Sequence, residues 1–177
     1  MSVLVDWQIK NMIEKTGEIK VDPYDPTLVN PASLDIRLSE DFSVLESVGI
    51  IDPTNPETFS FKSTKTKNWI LLPGETVLAG MLEKVSLSEN LGCKVMGKSS
   101  LGRLALLNSS HAGWTDPSWS GVLTMEISNL SKYPIKLTAG MKIGQLVFYK
   151  TEFACRKGYD QTGRYQNQES GMGSLGI

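Results

Sequence analysis

Residues 123–127 read Leu123-Thr124-Met125-Glu126-Ile127, and this strict alternation of apolar and polar side chains is typical of a half-buried β-strand. The three apolar side chains share one face of the strand, which we assign to the protein core. Thr124 and Glu126 share the opposite face with Ser128, and this face borders solvent, a pocket or another subunit. The strand therefore presents a carboxylate away from the core.

The same pattern recurs along the chain. Strict alternation or short apolar runs predict further strands at 34–38, 77–81, 95–96, 135–137 and 143–148. Turn signals recur at intervals of roughly ten residues. They lie at Pro73-Gly74, Glu89-Asn90, Asp116-Pro117 and Ala139-Gly140. This spacing predicts a mainly β protein, built as a sandwich or a barrel.

Only the N-terminus shows strong helical spacing. Apolar residues recur at helical intervals at Ile9, Met12 and Ile13. Asp6 precedes them as a candidate N-cap, and Gly17 is a candidate stop. The proline-rich stretch 22–31 excludes a regular helix and predicts an extended segment over the surface.

The composition is that of a globular protein. The chain has 177 residues, which predicts one domain with a substantial core. Its net charge of −1 gives no general attraction to nucleic acid or membrane, so an anion site must be a local cluster. No apolar run reaches the length of a membrane span, and the N-terminus lacks a signal-peptide pattern. We therefore expect a cytoplasmic protein with no nucleic-acid or membrane partner, whose Cys93 and Cys155 are buried free thiols.

The last residues differ in character from the rest. Residues 156–177, called the C-terminal segment below, hold five glycines and few large apolar side chains, so this segment does not fold by itself. It carries Tyr159, Arg164, Tyr165 and Gln168, which are the kinds of group that close over an anionic ligand. A frayed terminus is the alternative interpretation.

A glycine-flanked turn is the first candidate for ligand binding. Residues 97–103, the serine turn, read Gly97-Lys98-Ser99-Ser100-Leu101-Gly102-Arg103. Backbone N–H groups, two hydroxyls and an ammonium group at a helix start suit a phosphate. The spacing is not that of a Walker A loop, and an ordinary helix start capped by Ser99 or Ser100 explains the turn equally well.

Two carboxylates follow the serine turn. A partly desolvated Glu126 is a candidate general base, although solvated strand carboxylates are common. Asp116 precedes a proline in a turn, where aspartate is frequent for structural reasons. His111 is the only histidine, so a histidine-rich zinc site is excluded, and a triad with Ser99 and Asp116 has no nucleophile-elbow motif to support it.

The order and spacing of these signals match a known family. The matching motifs are Asn30-Pro31-Ala32-Ser33-Leu34-Asp35-Ile36-Arg37-Leu38, the serine turn, Ala112-Gly113-Trp114-Thr115-Asp116-Pro117-x-Trp119-x-Gly121, Leu123-x-x-Glu126-x-x-Asn129, Pro134-Ile135-x-Leu137-x-x-Gly140-Met141-x-Ile143-Gly144-Gln145-Leu146 and Arg164-Tyr165-Gln166-Asn167-Gln168. The chain thereby resembles the superfamily of trimeric dUTPases and dCTP deaminases, and the deaminase branch most closely. Plain dUTPases usually carry an apolar residue where this chain has Glu126.

The resemblance implies a fold and an assembly. The fold is a distorted β-barrel of the jelly-roll or β-clip type, with a short N-terminal helix. Residues 1–155 form the dUTPase-like barrel, and residues 156–177 form a flexible lid over the nucleotide. The resemblance also implies a homotrimer whose active sites lie between subunits.

The resemblance assigns roles to individual residues. Glu126 is the zinc-independent general base, while Ser99, Arg103 and the carbonyl of Ala112 orient water and the 4-amino centre. Asp116 takes the 3′-hydroxyl of the deoxyribose, and Trp119 stacks on the sugar. The triphosphate is held by Lys98, Ser100, Tyr159, Arg164 and Gln168. No side chain is assigned to a metal, because Mg²⁺ is bound through the triphosphate.

The implied activity is hydrolytic deamination of dCTP at C4. The product is dUTP or, with release of pyrophosphate, dUMP, and the motif Ala112-Gly113-Trp114-x-Asp116 favours the dUMP-forming members. A dUTPase without deamination and a non-catalytic nucleotide-binding regulatory protein are the alternatives. Lys98 stands where many members have arginine, and His111 stands where threonine is common. Feedback inhibition by dTTP therefore stays an open expectation, and the short spacing from Tyr159 to Arg164 makes Tyr159 the weakest assignment.

Overall fold

The computed structural model describes residues 1–108 and 113–177. The described residues form three α-helices. Helix α1 (Asp6–Asn11) lies near the N-terminus, α2 (Ser99–Gly102) lies between two strands, and α3 (Tyr159–Thr162) lies in the C-terminal segment. The strands are β1 (Ser2–Val3), β2 (Ile19–Asp22), β3 (Val29–Asn30), β4 (Ser33–Glu46), β5 (Ser60–Lys65), β6 (Asn68–Leu71), β7 (Thr76–Met81), β8 (Lys84–Leu87), β9 (Leu91–Gly97), β10 (Leu106–Asn108), β11 (Trp114–Thr115), β12 (Ser120–Gly121), β13 (Thr124–Asn129), β14 (Ile135–Thr138) and β15 (Lys142–Lys150).

Most of these strands join one curled sheet. Its order is β10-β13-β7-β4-β15-β9-β11, with β1 added to β15 and with β3 and β5 added to β4. Smaller sheets of order β12-β8-β2 and β14-β6 complete the part of the barrel that the structure describes. The pairs are antiparallel throughout the described registers, as expected for a barrel built from hairpins and longer returns. The prediction of a mainly β fold is confirmed.

The long strand β4 lies at the centre of the sheet and is buried on both faces. Its residues Leu34, Ile36 and Leu38 pack in the core, but Asp35 between them is also buried. A register irregularity interrupts the pairing of β4 with β7 between Leu38 and Phe42, which lets one strand serve two parts of the barrel. Alternation alone does not predict that the polar face of such a central strand is covered.

The predicted faces are confirmed for the residues of β13, whereas Leu123, which was predicted to lie on the core face, precedes the strand and is only partly buried. Met125 and Ile127 are fully buried, whereas Thr124 and Glu126 are only partly buried on the opposite face. The cross-strand partner of Glu126 in β7 is Leu78, and that of Thr124 is Gly80. Thr124 and Glu126 therefore project from the same face of the sheet, with one residue between them along the strand.

Two predicted helix caps are wrong, although both helices exist. Helix α1 begins at Asp6, and its N-cap is Val5, whose N–H donates to Oε1 of Gln8 at 3.1 Å. The N-cap of α2 is Lys98 rather than either serine, and no side chain caps this four-residue helix. The predicted stop is confirmed, since a π-helical turn over Met12–Thr16 ends at Gly17 with φ of +71°.

The C-terminal segment packs against the barrel instead of fraying. A cluster of hydrogen bonds joins Gln168 to Val122, and Gly171 lies so close to Gly80 that a Cβ on Gly171 would come within 2.5 Å of the Gly80 nitrogen. The glycine at 171 thus permits backbone-to-backbone contact.

Both cysteines are free thiols. Cys93 is fully buried, as expected, whereas Cys155 is only partly buried, so that half of the burial prediction is wrong. No helix among the described residues is long and apolar enough to cross a membrane.

Candidate active site

A cavity of about 710 Å³ opens beside the polar face of β13. Its volume is in the range of small-molecule sites. Five of the residues selected from the sequence line this one cavity: Asp116, Trp119, Glu126, Tyr159 and Gln168. The fold therefore brings together side chains that lie up to 52 residues apart in the sequence, from Asp116 to Gln168.

Glu126 lies on strand β13, and its carboxylate lines this cavity. It projects from β13 beside Leu78, which lies directly opposite on β7 and gives the carboxylate an apolar neighbour. Its Oε2 is buried and makes no hydrogen bond within the described residues. An unpaired buried carboxylate oxygen is costly, and such groups concentrate at sites with a chemical role. Glu126 is thus positioned to accept a proton from a molecule that enters the cavity.

Asp116 is oriented by a tryptophan that the sequence analysis did not assign to the site. The indole N–H of Trp114 donates to Oδ1 of Asp116 at 3.0 Å. The ring of Trp114 stacks on Tyr149 with centroids 4.3 Å apart, and the Tyr149 hydroxyl donates to the carbonyl of Thr115. This chain of contacts fixes the direction of an otherwise exposed carboxylate. The stacking partner comes from β15, so local sequence spacing contained no signal for it.

Trp119 belongs both to the core and to the cavity wall. Only 4% of it is exposed, and it packs with the buried apolar cluster of the barrel. It also lines the cavity next to Asp116, which presents an aromatic surface beside a hydrogen-bonding carboxylate. These two groups form the type of surface that suits a sugar ring with a free hydroxyl.

The C-terminal segment supplies another wall of the cavity. Tyr159, Tyr165 and Gln168 line it together with Met172 and the two residues that follow. The Gln168 side chain donates to the Val122 carbonyl at 2.6 Å and to Oγ1 of Thr124 at 2.7 Å. Its amide group is therefore engaged with the barrel, and the Val122 N–H donates to the Gln168 carbonyl. The segment covers the cavity as a lid would.

Arg164 lies outside the lining of the cavity. Its guanidinium donates to the carbonyl oxygens of Leu175 and Gly176, at 3.1 and 2.8 Å. The side chain is exposed, and its bonds tie the last residues of the chain back to residue 164. A phosphate role for Arg164 requires that these two hydrogen bonds be exchanged for bonds to the ligand.

The serine turn lies at a different place on the same chain. In the sheet, β9, which leads into the turn, is separated from β13 by β7, β4 and β15. Lys98 and Ser99 line a separate recess of about 400 Å³, together with Asn108 and Gln145. The exposed Ser99, Ser100 and Arg103 do not line the cavity of Glu126.

A buried carboxylate holds the cation of the serine turn. Nζ of Lys98 lies 2.6 Å from Oδ1 of Asp35, and Nζ of Lys142 lies 3.1 Å from Oδ2. Asn30 donates to the same carboxylate at 2.8 Å. Burial by itself would raise the pKa of Asp35, but the bonds from Lys98, Lys142 and Asn30 bring it below its ordinary value. Asp35 is therefore a charged anchor that holds two lysines, of which Lys98 lines the recess.

One assigned residue lies outside the described residues. Ala112 falls in the stretch 109–112, as does His111. The sequence analysis did not assign Trp114 to the site, although it named Tyr165 among the groups that could close over a ligand. Asp35, which holds Lys98, stands inside a quoted motif, but alternation alone does not show that its side chain is buried.

Carboxylates and other metal ligands are scattered in the described part of the chain. No three His, Cys, Asp or Glu side chains come together there as a metal cage. The lining of the cavity of Glu126 includes two carboxylates, Asp116 and Glu126. Such a donor set fits Mg²⁺ only as the ion is commonly bound, through substrate phosphates and water.

Comparison with protein families places the chain among nucleotide-metabolising proteins. A model of the dCTP deaminase-like family matches residues 3–151. A protein of Streptomyces griseus named dCTP deaminase, dUMP-forming, is 42% identical over 175 residues, which cover 96% of this chain and 91% of that one. This chain is also similar to a protein of the same name from Tropheryma whipplei, with 42% identity over 89% of this chain and 84% of that one. A protein of that name from Methanoculleus marisnigri is 39% identical, over 94% of this chain and 91% of that one.

Solved structures show the same fold. The dCTP deaminase of Agrobacterium tumefaciens superposes with a TM-score of 0.63 at 22% identity, over 82% of this chain. This chain spans about half the length of that protein, 47%. A dUTPase of phage 80alpha superposes with a TM-score of 0.50 at 16% identity, over 78% of this chain and 94% of that one. The barrel is thus common to both kinds of protein.

Proposed function

The chain belongs to the dCTP deaminase-like family, and we propose that it converts dCTP to dUMP, ammonia and pyrophosphate. The relatives named dUMP-forming, at about 40% identity over most of the chain, support this activity over simple dUTP production. The observation that carries the proposal is the buried, unpaired Oε2 of Glu126 in a cavity that also contains Asp116 and Trp119.

The first step is hydrolysis at C4 of the cytosine ring. Glu126 takes a proton from water as the water oxygen bonds to C4, and this proton goes to N3 of the ring. The proton of the new C4 hydroxyl then passes through Glu126 to the amino nitrogen as the C4–N bond breaks and the C4=O bond forms. Ammonia leaves and dUTP remains. The apolar neighbour Leu78 and the lid limit access of other water to the carboxylate.

The second step is hydrolysis at the α-phosphorus. A water oxygen bonds to the α-phosphorus as the bond to the bridging oxygen breaks, and pyrophosphate leaves. Mg²⁺ enters as the complex with the triphosphate and neutralises part of its charge. Asp116, held by Trp114, binds the 3′-hydroxyl, and Trp119 packs on the sugar.

A second copy of the chain completes the site. Lys98, Ser99, Ser100 and Arg103 lie outside the cavity on one chain, although deamination requires them beside Glu126 in the arrangement that the family resemblance implies. Leu104 and Leu107 next to the serine turn are 59% and 46% exposed, which leaves apolar surface for a partner to cover. We infer a homotrimer in which the serine turn of one subunit faces the cavity of its neighbour.

Three ligand assignments accompany this proposal. In the assembled site Lys98 and Ser100 of one subunit, with Tyr159, Arg164 and Gln168 of the other, hold the triphosphate. For Gln168, as for Arg164, this role requires that an existing hydrogen bond be exchanged for one to the ligand, because both N–H groups of its amide bond to the barrel. The carbonyl of Ala112 directs the reacting water together with Ser99 and Arg103. Binding of dTTP in the same site would make it a feedback inhibitor, and we expect competition between dTTP and dCTP if it acts.

The test is product identification. The protein is incubated with dCTP and Mg²⁺, and nucleotides, ammonia and pyrophosphate are separated and quantified. We expect dUMP, ammonia and pyrophosphate in equal amounts. Cleavage of dUTP with no attack on dCTP would overturn the deaminase assignment and leave a dUTPase.

Glu126→Gln isolates the role of the carboxylate. The amide keeps the size and hydrogen-bonding shape of the side chain but cannot take a proton at neutral pH. We expect nucleotide binding within a few-fold of the wild type and a loss of deamination of roughly 100- to 10,000-fold. Retained deamination would exclude Glu126 as the base. Glu75→Gln, on a surface turn outside the catalytic assignment, is the control for the chemistry of the substitution.

A further inference from the structure

Thr124 receives two hydrogen bonds from the C-terminal segment. Its Oγ1 accepts from Nε2 of Gln168 at 2.7 Å and from the backbone N–H of Met172 at 2.9 Å. A threonine hydroxyl has two lone pairs, so both are occupied by this one segment. No other barrel side chain among the described residues accepts two hydrogen bonds from residues 156–177.

The position of Thr124 joins the lid to the chemistry. Thr124 and Glu126 lie two residues apart on one face of β13 and line the same cavity. Thr124 bonds to Gln168 and to Met172. Met172 and the next two residues, Gly173 and Ser174, line the same cavity and cover it. Gly80, opposite Thr124 on β7, lets the backbone of Gly171 approach, so the segment is seated at this point by contact as well as by hydrogen bonds.

The two-step reaction gives this contact a specific task. After ammonia leaves, dUTP is a complete molecule that escapes whenever the lid opens before the second hydrolysis. We propose that the Thr124 hydroxyl is the positioning group that keeps the C-terminal segment closed between the two hydrolyses, so that dUTP stays bound until pyrophosphate is released. This inference rests on the proposed dUMP-forming function and adds retention of its intermediate.

Thr124→Val tests the hydroxyl with little change in shape. The Met172 N–H and the Gln168 amide both lose their bonds to Oγ1, whereas Gln168 keeps its bond to the Val122 carbonyl. The two lost bonds favour the open lid, and we expect the ratio of free dUTP to dUMP to rise by roughly 5- to 30-fold. Thr124→Ser keeps the hydroxyl and restores the wild-type ratio. A Thr124→Val protein that releases no more dUTP than the wild type would overturn the proposal.

The same bond is tested from the lid. Met172→Pro removes the backbone N–H that bonds Thr124, and Met172→Ala keeps it. We expect release of dUTP from the proline variant alone. Equal product ratios in the two variants would contradict the role of this bond.

Limited proteolysis provides a readout that does not depend on turnover. With a dUTP analogue that carries nitrogen between its α- and β-phosphorus atoms, we expect faster cleavage within 169–177 in Thr124→Val than in Thr124→Ser. Equal protection would overturn the inference. If the wild type fails to consume dCTP, the proposed function fails instead, and the proteolysis still decides whether Thr124 holds the segment.

Discussion

Nζ of Lys98 lies 2.6 Å from Oδ1 of Asp35, a carboxylate of which only 3% is exposed. The pair joins the serine turn to the centre of the barrel, because Asp35 belongs to β4 and Lys98 follows β9. Lys142 adds a second ammonium group to the same carboxylate. A cation at the edge of the candidate phosphate recess is thus held by a buried charge.

Asp35→Asn should destabilise the protein and change its response to acid. The variant leaves two lysines without their anion, and breaking such a pair costs about 2 kcal/mol or more in the free energy of unfolding. The pKa of Asp35 is lowered in the folded protein, so its stabilisation is present above the unfolded value near 4 and is lost as the pH falls through the folded value. We expect wild-type stability to fall on acidification below about pH 4 more steeply than that of Asp35→Asn. Urea titrations at several pH values measure this, and parallel profiles would contradict it.

Trp114→Phe should weaken nucleotide binding without unfolding the barrel. Phenylalanine keeps an aromatic ring next to Tyr149 but loses the N–H that orients Asp116. We expect the KM for dCTP to rise by roughly 3- to 10-fold, as for the loss of one hydrogen bond with a net contribution of about 1 kcal/mol. Trp69→Phe is the matched control, because Trp69 stacks on Phe42 and its indole N–H has no partner within the described residues. Similar KM values for both variants would show that the orientation of Asp116 by Trp114 does not contribute to nucleotide binding.

Mixed assemblies should show that sites are shared between subunits. In the proposed homotrimer we expect Ser99→Ala and Glu126→Gln each to abolish activity, whereas a site built from Glu126 of one subunit and Ser99 of the next would be intact in some mixed trimers. Random mixing restores about a quarter of the sites. Activity of the co-refolded or co-expressed mixture, compared with each variant alone, is the measurement. A mixture as inactive as its components would place both residues in one subunit.

Gly171→Ala should open the lid while the barrel stays folded. A Cβ at position 171 would lie 2.5 Å from the Gly80 nitrogen, and backbone cannot yield as a flexible side chain does. We expect faster proteolysis of residues 169–177 and a higher KM for dCTP, with the unfolding midpoint of the barrel within about 2 °C of the wild type. Ser170→Ala adds no such contact and serves as the control. Unchanged proteolysis in Gly171→Ala would show that the segment is not seated against β7.

The sequence identified the strands because alternation follows directly from burial on one face. It placed Glu126 away from the core for the same reason, and β13 has that orientation. It did not reveal that Asp35 is buried, because β4 is covered on both faces by other parts of the chain. Helix caps were also missed, since they depend on the direction in which the chain enters each helix.

The arrangement of the candidate site depends on pairings that have no local signal. Asp116, Glu126 and Gln168 come together through the sheet order and the path of the C-terminal segment. The family motifs allowed these residues to be selected together, although spacing alone supports a structural role for each. The serine turn does not line the cavity of Glu126, although β10, which follows the turn, pairs directly with β13.

The two cysteines differ in burial, so that one of them can be labelled selectively with a dye. Desolvation raises the pKa of Cys93 to about 12, so this thiol stays protonated and unreactive at neutral pH. Cys155 is partly accessible and lies where the barrel ends and the C-terminal segment begins. A maleimide dye added to the unmodified protein should therefore attach at one position per chain, beside the start of the C-terminal segment. If this segment moves as the proposed lid, the fluorescence of the dye would report that movement during turnover without any engineered cysteine.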